Sequence, residues 1–199
     1  MDNKKVVMAG FGTLLLQESL DDTVGADAAK KFTPIVIKNY KRLFNLLPDH
    51  YEAYNFLRQD GIEKGAANIE PAEGFQFNGL SFLADPNDLD RLDKRERYYK
   101  RSAVTYYHFD TGEELGECYV YESPLNARWI VRNNNKLLPL WRDIVYARVG
   151  AYRISKSFGE MYDATTYMAD GKTLMIDYYK DYLNALEDLE SVRLYYKKK

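Results

Sequence analysis

The chain has 199 residues, of which 46% are hydrophobic and 29% are charged, and its formal net charge is −2. This composition excludes a disordered chain and suffices for one hydrophobic core, while the near-neutral charge gives no basic surface for nucleic acid. No apolar run approaches the roughly 20 residues that a membrane helix needs. We therefore expect a cytoplasmic protein that binds neither nucleic acid nor a membrane.

The sequence contains a single cysteine, Cys118, and two histidines, His50 and His108. One cysteine excludes an intrachain disulfide and a zinc site with several thiolates. Two histidines argue against a histidine-based triad or a multi-histidine metal site, although one of them could act as a general base. We interpret Cys118 as a strand side chain and both histidines as structural or exposed.

The first predicted elements are a buried strand and a tight turn. Residues 6–9 form an apolar run that ends at Gly10-Phe11-Gly12-Thr13, and Leu14-Leu15-Leu16 follows as a short loop or helix. We expect the backbone amides of this glycine turn to face a cavity.

The middle of the chain is rich in predicted strands. Apolar and alternating runs predict strands over residues 35–45 (one strand or a pair), 51–57 (after a loop at 47–50) and 75–82. Residues 101–109 and 115–121 predict a hairpin around Asp110-Thr111-Gly112. Together these strands predict a mixed sheet that can close into a barrel-like shape.

After Pro124 the pattern becomes helical. Helices are predicted over residues 140–151, 155–168 and 173–196, with Gly150 and Gly159 as caps or close-packing points. The last helix is amphipathic and could pack on the domain or on a second copy of the chain, which would make a homodimer. The predicted fold class is α+β: a mixed, barrel-like sheet with flanking helices over residues 1–170, and a C-terminal helical extension over residues 171–199.

One further helix, over residues 85–96, carries the clearest functional signal. Asp85 is a natural N-cap, and Pro86 suits the first helical position. At about 100° per residue, Glu96 points between Leu89 and Leu92 on the apolar face. A carboxylate there is costly unless it is paired or functional, and burial raises its pKa toward the value that a general acid or base needs at neutral pH.

The residues around Glu96 leave two interpretations open. The same helical geometry places Arg91, Lys94 and Arg95 on the opposite side of the helix. In the structural interpretation Glu96, near the helix end, either turns outward or pairs with Arg101 or Arg153. In the functional interpretation it is a general acid or base.

Known cofactor motifs do not fit this sequence. Gly10-Phe11-Gly12 begins like a dinucleotide fingerprint, but Leu15 stands in place of the third glycine. No Gly-Lys-Ser/Thr follows a glycine loop, and the acidic run from Asp85 has Asp90 where a calcium loop needs glycine. These residues argue against a nicotinamide cofactor, a P-loop and a calcium site.

Two segments carry a resemblance to a known family. Phe11-Gly12-Thr13-Leu14 resembles the Tyr-Gly-Ser-Asn/Leu signature of the gamma-glutamylcyclotransferase family, which also includes plant avirulence-induced-gene-like (AIG2-like) proteins. The segment from Leu92 to Glu96, followed by Tyr99, Arg101 and Val104, is similar to the family's Leu-Asp-x-x-Glu...Tyr-x-Arg-x-x-Val segment. The match covers residues 4–168, with Phe11 in place of tyrosine, Thr13 in place of serine and Arg97 in place of glycine.

The resemblance implies a fold and a reaction. The reaction converts a gamma-glutamyl amide or peptide, such as those of glutathione metabolism, to 5-oxoproline and releases an amine, an amino acid or a dipeptide. Glu96 would be the general base and acid, and neither a metal nor an organic cofactor would be needed. The implied substrate-binding residues are Phe11, Gly12, Thr13, Leu14, Leu15, Tyr99 and Arg101, with the backbone amides from Gly12 to Leu15 receiving a carboxylate or an oxyanion.

Two other functions are compatible with the same residues. The chain could be a non-catalytic domain that binds a small amino-acid-like metabolite. Alternatively it could be an interaction protein that uses its C-terminal helix as the working surface and holds Glu96 in a salt bridge.

Overall fold

A computed structural model describes residues 5–25, 31–47, 64–132 and 137–179. The strands in these residues are β1 (Val6–Gly10), β2 (Phe32–Leu46), β3 (Lys64–Ala84), β4 (Lys100–His108), β5 (Glu114–Glu122), β6 (Leu138–Pro139) and β7 (Thr166–Tyr167). The helices are α1 (Gln17–Val24), α2 (Pro86–Arg95), α3 (Trp141–Ile154), α4 (Lys156–Ala164) and α5 (Met175–Tyr179), and a 3-10 turn spans Thr13–Leu15.

Five strands close into a barrel in the order β3-β1-β5-β4-β2, because β2 also pairs with β3. The β1–β5 pair is parallel and the other four pairs of the barrel are antiparallel, so the sheet is mixed. The short strands β6 and β7 extend the sheet beside β3 and β2. The predicted α+β class with a mixed, barrel-like sheet and flanking helices is confirmed.

The barrel interior is filled by alternate residues of its strands, as the two-residue period of a half-buried strand requires. This cluster includes Ala9, Ile35, Ile37, Phe77, Val104, Cys118 and Val120. The prediction that Cys118 is a strand side chain is confirmed, since it is 1% exposed on β5.

Two further apolar clusters attach the helices to the outside of the barrel. One joins α3 and α4 to β2 and β3 through Phe44, Leu80, Ile144, Phe158 and Tyr162. The other joins α1 and α2 to β1 and β3 through Met8, Leu20, Phe82 and Leu92. The helices thereby bring their ends to the rim of the barrel where β1 finishes.

Predictions of single strands and turns, which depend on residues close together in the chain, are confirmed within the described residues. The strand over residues 35–45 is one strand, β2, and the hairpin β4–β5 forms around Gly112, whose φ of +70° favours glycine. Gly150 and Gly159 lie inside α3 and α4, at close-packing points and not at caps.

The predicted helix over residues 155–168 is too long. It ends at Ala164, because the hydroxyls of Thr165 and Thr166 donate to the carbonyls of Met161 and Tyr162, 2.7 and 2.6 Å away. Strand β7 follows and pairs in parallel with β2.

Several predictions fall outside the described residues. These are the strand over residues 51–57, most of the loop at 47–50 with His50, and all of the helix over residues 173–196 except Met175–Tyr179. In the described part of the chain no helix has the length and apolar character needed to cross a membrane.

Candidate active site

A cavity of about 380 Å³ lies at the barrel rim where β1 ends. Its size is within the range of small-molecule sites. Both segments that the sequence analysis singled out line it. From the predicted set it contacts Phe11, Gly12, Thr13, Leu14, Glu96 and Tyr99.

The glycine turn forms one wall of the cavity. The amide of Leu15 donates to the carbonyl of Gly12 at 2.9 Å and closes the 3-10 turn. The amides of Thr13 and Leu14 open this turn, so they have no acceptor within it. The side chain of Leu15 is 2% exposed and packs in the core behind the wall, so the structure does not bring this predicted residue to the cavity.

A second wall is the end of α2. The start of that helix is fixed by a capping box. The Asp85 carboxylate accepts hydrogen bonds from the amides of Asn87 and Asp88 at 2.8 and 3.0 Å, and Asp88 accepts from the amide of Asp85. The predicted N-cap is therefore confirmed. The helix ends at Arg95, and the amide of Glu96 donates to the carbonyl of Leu92 at 2.8 Å.

Glu96 lies on the cavity wall with its side chain 19% exposed. Burial raises the pKa of its carboxyl, the adjacent Arg95 guanidinium opposes this shift, and the nearby Asp143 carboxylate adds to it. The balance keeps the pKa above the ordinary glutamate value. A raised pKa makes the carboxylate a stronger base, which suits a group that accepts a proton and returns it.

The arginines proposed as structural partners of Glu96 are engaged elsewhere. The Arg101 Nε lies 3.2 Å from Asp93 Oδ1, and the Arg153 Nη1 lies 2.6 Å from Glu18 Oε1. Arg101, also predicted to bind substrate, does not line the cavity. Glu96 instead pairs with Arg95, whose Nε is 3.1 Å from Glu96 Oε1.

The placement of Arg95 corrects the sequence analysis, which put it on the far side of the helix. The argument from 100° per residue assumes a helix that continues through residue 96. Here the helix ends at Arg95, and Glu96 has φ −94° and ψ 33°, so neighbouring side chains both turn to the cavity. The long arginine side chain can also fold back over the helix end.

A third wall comes from α3, a helix that the sequence predicted without predicting its part in the site. Arg142, Asp143 and Tyr146 line the cavity from the first two turns of this helix. Asp143 Oδ1 is 3.4 Å from Arg142 Nη2. No local motif marks these residues, because only the packing of α3 against the glycine turn brings them near Glu96.

Tyrosines complete the lining. The Tyr99 hydroxyl donates to the carbonyl of Ala67 at 2.5 Å, and the Tyr121 hydroxyl donates to Asp93 at 2.6 Å. These bonds fix two ring positions in the wall. His108 lies outside this lining and accepts from the amides of Asp110 and Thr111, which agrees with a structural role.

The closed barrel with its flanking helices is a fold shared with solved structures of gamma-glutamyl cyclotransferases. The chain is similar to a solved structure of a gamma-glutamyl cyclotransferase, with a TM-score of 0.60 and 16% identity over 81% of this chain and 88% of that one. An uncharacterized protein from Homo sapiens matches with a TM-score of 0.59 and 16% identity over the same shares of the two chains. A gamma-glutamyl cyclotransferase from yeast, described as specific to glutathione, matches with a TM-score of 0.50 and 11% identity over 75% of this chain and 78% of that one.

These likenesses confirm the fold that the two motifs implied. No protein-family model matches the sequence, and no curated protein matches it either.

Proposed function

We propose that the protein is a cyclotransferase that converts a gamma-glutamyl amide or peptide to 5-oxoproline with release of the amine, amino acid or dipeptide. The observation that carries this proposal is the position of Glu96. Its carboxyl has a raised pKa and lines the same small-molecule-sized cavity as the glycine turn. The fold shared with gamma-glutamyl cyclotransferases supports the same reaction class.

In the proposed mechanism Glu96 first acts as a base. It takes a proton from the alpha-ammonium of the substrate, and the freed amine attacks the gamma-carbonyl carbon of the same molecule. A carbon–nitrogen bond forms in the ring, and the bond from that carbon to the leaving nitrogen breaks. Glu96 gives this proton to the leaving nitrogen, and the ring nitrogen, which still carries one proton too many after the attack, passes that proton through the Glu96 carboxylate to the released amine. The amine therefore leaves as an ammonium ion, and Glu96 returns to its carboxylate form.

The cavity would supply proximity as well as proton transfer. Ring closure requires the glutamyl chain to be held curled, and binding in one conformation offsets an entropy cost of several kcal/mol. The amides of Thr13 and Leu14 have no acceptor within the 3-10 turn and would donate to the substrate carboxylate or to a developing oxyanion. No step of this mechanism uses a metal or an organic cofactor.

The direct test is 5-oxoproline release, measured by mass spectrometry over a panel of gamma-glutamyl amino acids, amines and glutathione. Wild type is compared with Glu96→Gln, which keeps the shape and removes the titratable group. Glu117→Gln on the exposed face of β5 is the matched control. We expect turnover that falls about 100-fold or more in Glu96→Gln and is unchanged in Glu117→Gln.

Two results would count against the proposal. Equal turnover by wild type and Glu96→Gln would show that another group transfers the proton. Folded wild type that releases no 5-oxoproline from any compound, but binds one of them by calorimetry, would identify a metabolite-binding domain on this fold.

A further inference from the structure

The Arg95 side chain connects three separate parts of the cavity wall. Its Nε lies 3.1 Å from Glu96 Oε1, at the end of α2. Its Nη2 donates to the Thr13 hydroxyl at 2.7 Å, across the cavity on the glycine turn. Its Nη1 donates to the Thr23 hydroxyl and, at 3.4 Å, to the carbonyl of Ser19, both on α1.

The donor count indicates what this arginine can do. A guanidinium carries five N–H donors in a fixed plane. The acceptors around Arg95 are the Glu96 carboxylate, the hydroxyls of Thr13, Thr23 and Ser19, and the Ser19 carbonyl. Each guanidinium nitrogen therefore has an acceptor on the protein, which suits Arg95 to hold wall residues.

We propose that Arg95 is a positioning residue, which holds the Glu96 carboxylate and the Thr13 hydroxyl at fixed places in the cavity wall. The kinetic part of this inference rests on the proposed cyclotransferase function. Proton transfer needs the carboxylate within hydrogen-bond reach of the reacting nitrogen, and an error of about 1 Å can cost 100-fold in rate. Glu96 follows the last residue of α2, and a turn holds its backbone, since its carbonyl accepts from the Tyr99 amide at 2.8 Å. Its carboxylate is held by the contact with Arg95.

The charge of Arg95 has a second effect on Glu96. Its guanidinium lowers the pKa of Glu96, against burial and the Asp143 carboxylate, which raise it. Removal of this cation therefore raises the pKa further. The charged and titratable groups that face Glu96 from the packed elements are Asp22 on α1, Arg142, Asp143 and Tyr146 on α3, Tyr121 on β5, and Tyr98 and Tyr99 after α2.

The test compares Arg95→Met and Arg95→Lys with Arg91→Met, a matched change at an exposed position of the same helix. For Arg95→Met we expect kcat to fall about 10-fold or more while KM changes little, because the base is misplaced. The acidic limb of kcat/KM against pH should move to higher pH. Arg95→Lys keeps the positive charge, so the acidic limb of kcat/KM should stay near its wild-type pH. One ammonium group cannot contact three partners at once, so kcat should still fall.

A readout that does not need turnover separates the two proposals. The Glu96 carboxyl is titrated by carbon-13 NMR, with its signal assigned by difference from Glu96→Gln. A higher Glu96 pKa in Arg95→Met than in wild type supports the positioning role even if wild type proves inactive, in which case only the cyclotransferase proposal fails. An unchanged pKa and an unchanged acidic limb overturn the positioning role.

The test of the positioning role remains decisive if one variant fails to fold. If Arg95→Met does not fold, Arg95→Lys decides by kcat alone. Wild-type kcat in folded Arg95→Lys would overturn the proposal, because one ammonium cannot reproduce the contacts to both walls.

Discussion

A Cβ atom placed on Gly150 would lie 2.3 Å from the carbonyl oxygen of Leu15, so α3 contacts the glycine turn backbone to backbone. No side chain fits between them, since real Cβ atoms do not approach other atoms this closely. The contact holds the turn against the helix that supplies Asp143 to the cavity. It therefore sets the distance between two walls of the candidate site.

The first prediction concerns this contact. Gly150→Ala should destabilise the protein by about 2 kcal/mol, because the backbone of the turn must shift to admit the methyl group. Urea denaturation measures this loss, and kcat/KM for 5-oxoproline release should fall as the turn moves. Ala151→Gly, one residue further along the same helix, is the control and should cost about 1 kcal/mol without a loss of kcat/KM beyond its loss of folded protein. Equal stabilities of Gly150→Ala and wild type would contradict the close approach.

The second prediction concerns the cost of ionising Glu96. Its pKa in the folded protein is above that of the unfolded chain, so between these two values the folded protein binds more protons. Stability then decreases as pH rises through this window, and the penalty is fully present above the folded pKa. Glu96→Gln removes the penalty. Its melting temperature should exceed that of wild type at neutral pH, and the difference should shrink as pH falls below the ordinary glutamate value.

Melting temperatures measured by calorimetry from pH 4 to pH 8 test this direction of the pH dependence. Glu117→Gln, an exposed change, should show a nearly constant difference from wild type across the range. A Glu96→Gln variant that is less stable than wild type at neutral pH would mean that the ion pair with Arg95 outweighs burial.

A structural feature could be predicted from the sequence when the residues that determine it are close together in the chain. The cap at Asp85, the glycine turn after β1 and the hairpin at Gly112 depend on residues within a few positions of one another, and all were predictable. The cavity wall from α3 depends on contacts between distant segments, such as Gly150 with Leu15. A single sequence carries no local trace of such a contact.

Arg42 is a second feature of the structure that the sequence did not predict. Nothing in the strand pattern of β2 distinguishes it, yet it is 0% exposed. Its Nη1 donates to the carbonyls of Phe11 and Asn78 at 3.1 and 2.9 Å, and its guanidinium stacks 4.1 Å from the centre of the Tyr162 ring. Burial lowers the pKa of Arg42 to about 10, so it stays charged at neutral pH. It ties the glycine turn to β3 and α4.

The third prediction is that Arg42→Lys destabilises the protein by roughly 3 kcal/mol or more, because a lysine leaves several buried acceptors without donors and loses its own charge more readily when buried. Arg91→Lys, on the exposed side of α2, should change stability by less than about 0.5 kcal/mol. Urea denaturation of the two variants measures both values. A loss of less than about 1 kcal/mol in Arg42→Lys would mean that water can replace the missing donors.

The fourth prediction uses Cys118 as a reporter of the barrel interior. Burial raises the pKa of its thiol to about 12, so almost no thiolate is present at pH 8, and the side chain is 1% exposed. Because the thiolate is the nucleophile, Cys118 should not react with a chromogenic disulfide reagent in the native protein. After unfolding, its reaction should release one equivalent of the reagent's chromophore per chain. The single cysteine makes Cys118→Ala a blank with no background reaction. Where opening and reclosing are faster than labelling, the native labelling rate measures the free energy of opening. The logarithm of this rate in Arg42→Lys should therefore rise in proportion to the lost stability. Prompt reaction of the native wild-type protein would contradict a closed interior, and equal rates for wild type and Arg42→Lys would show that the barrel opens without breaking the contacts of Arg42.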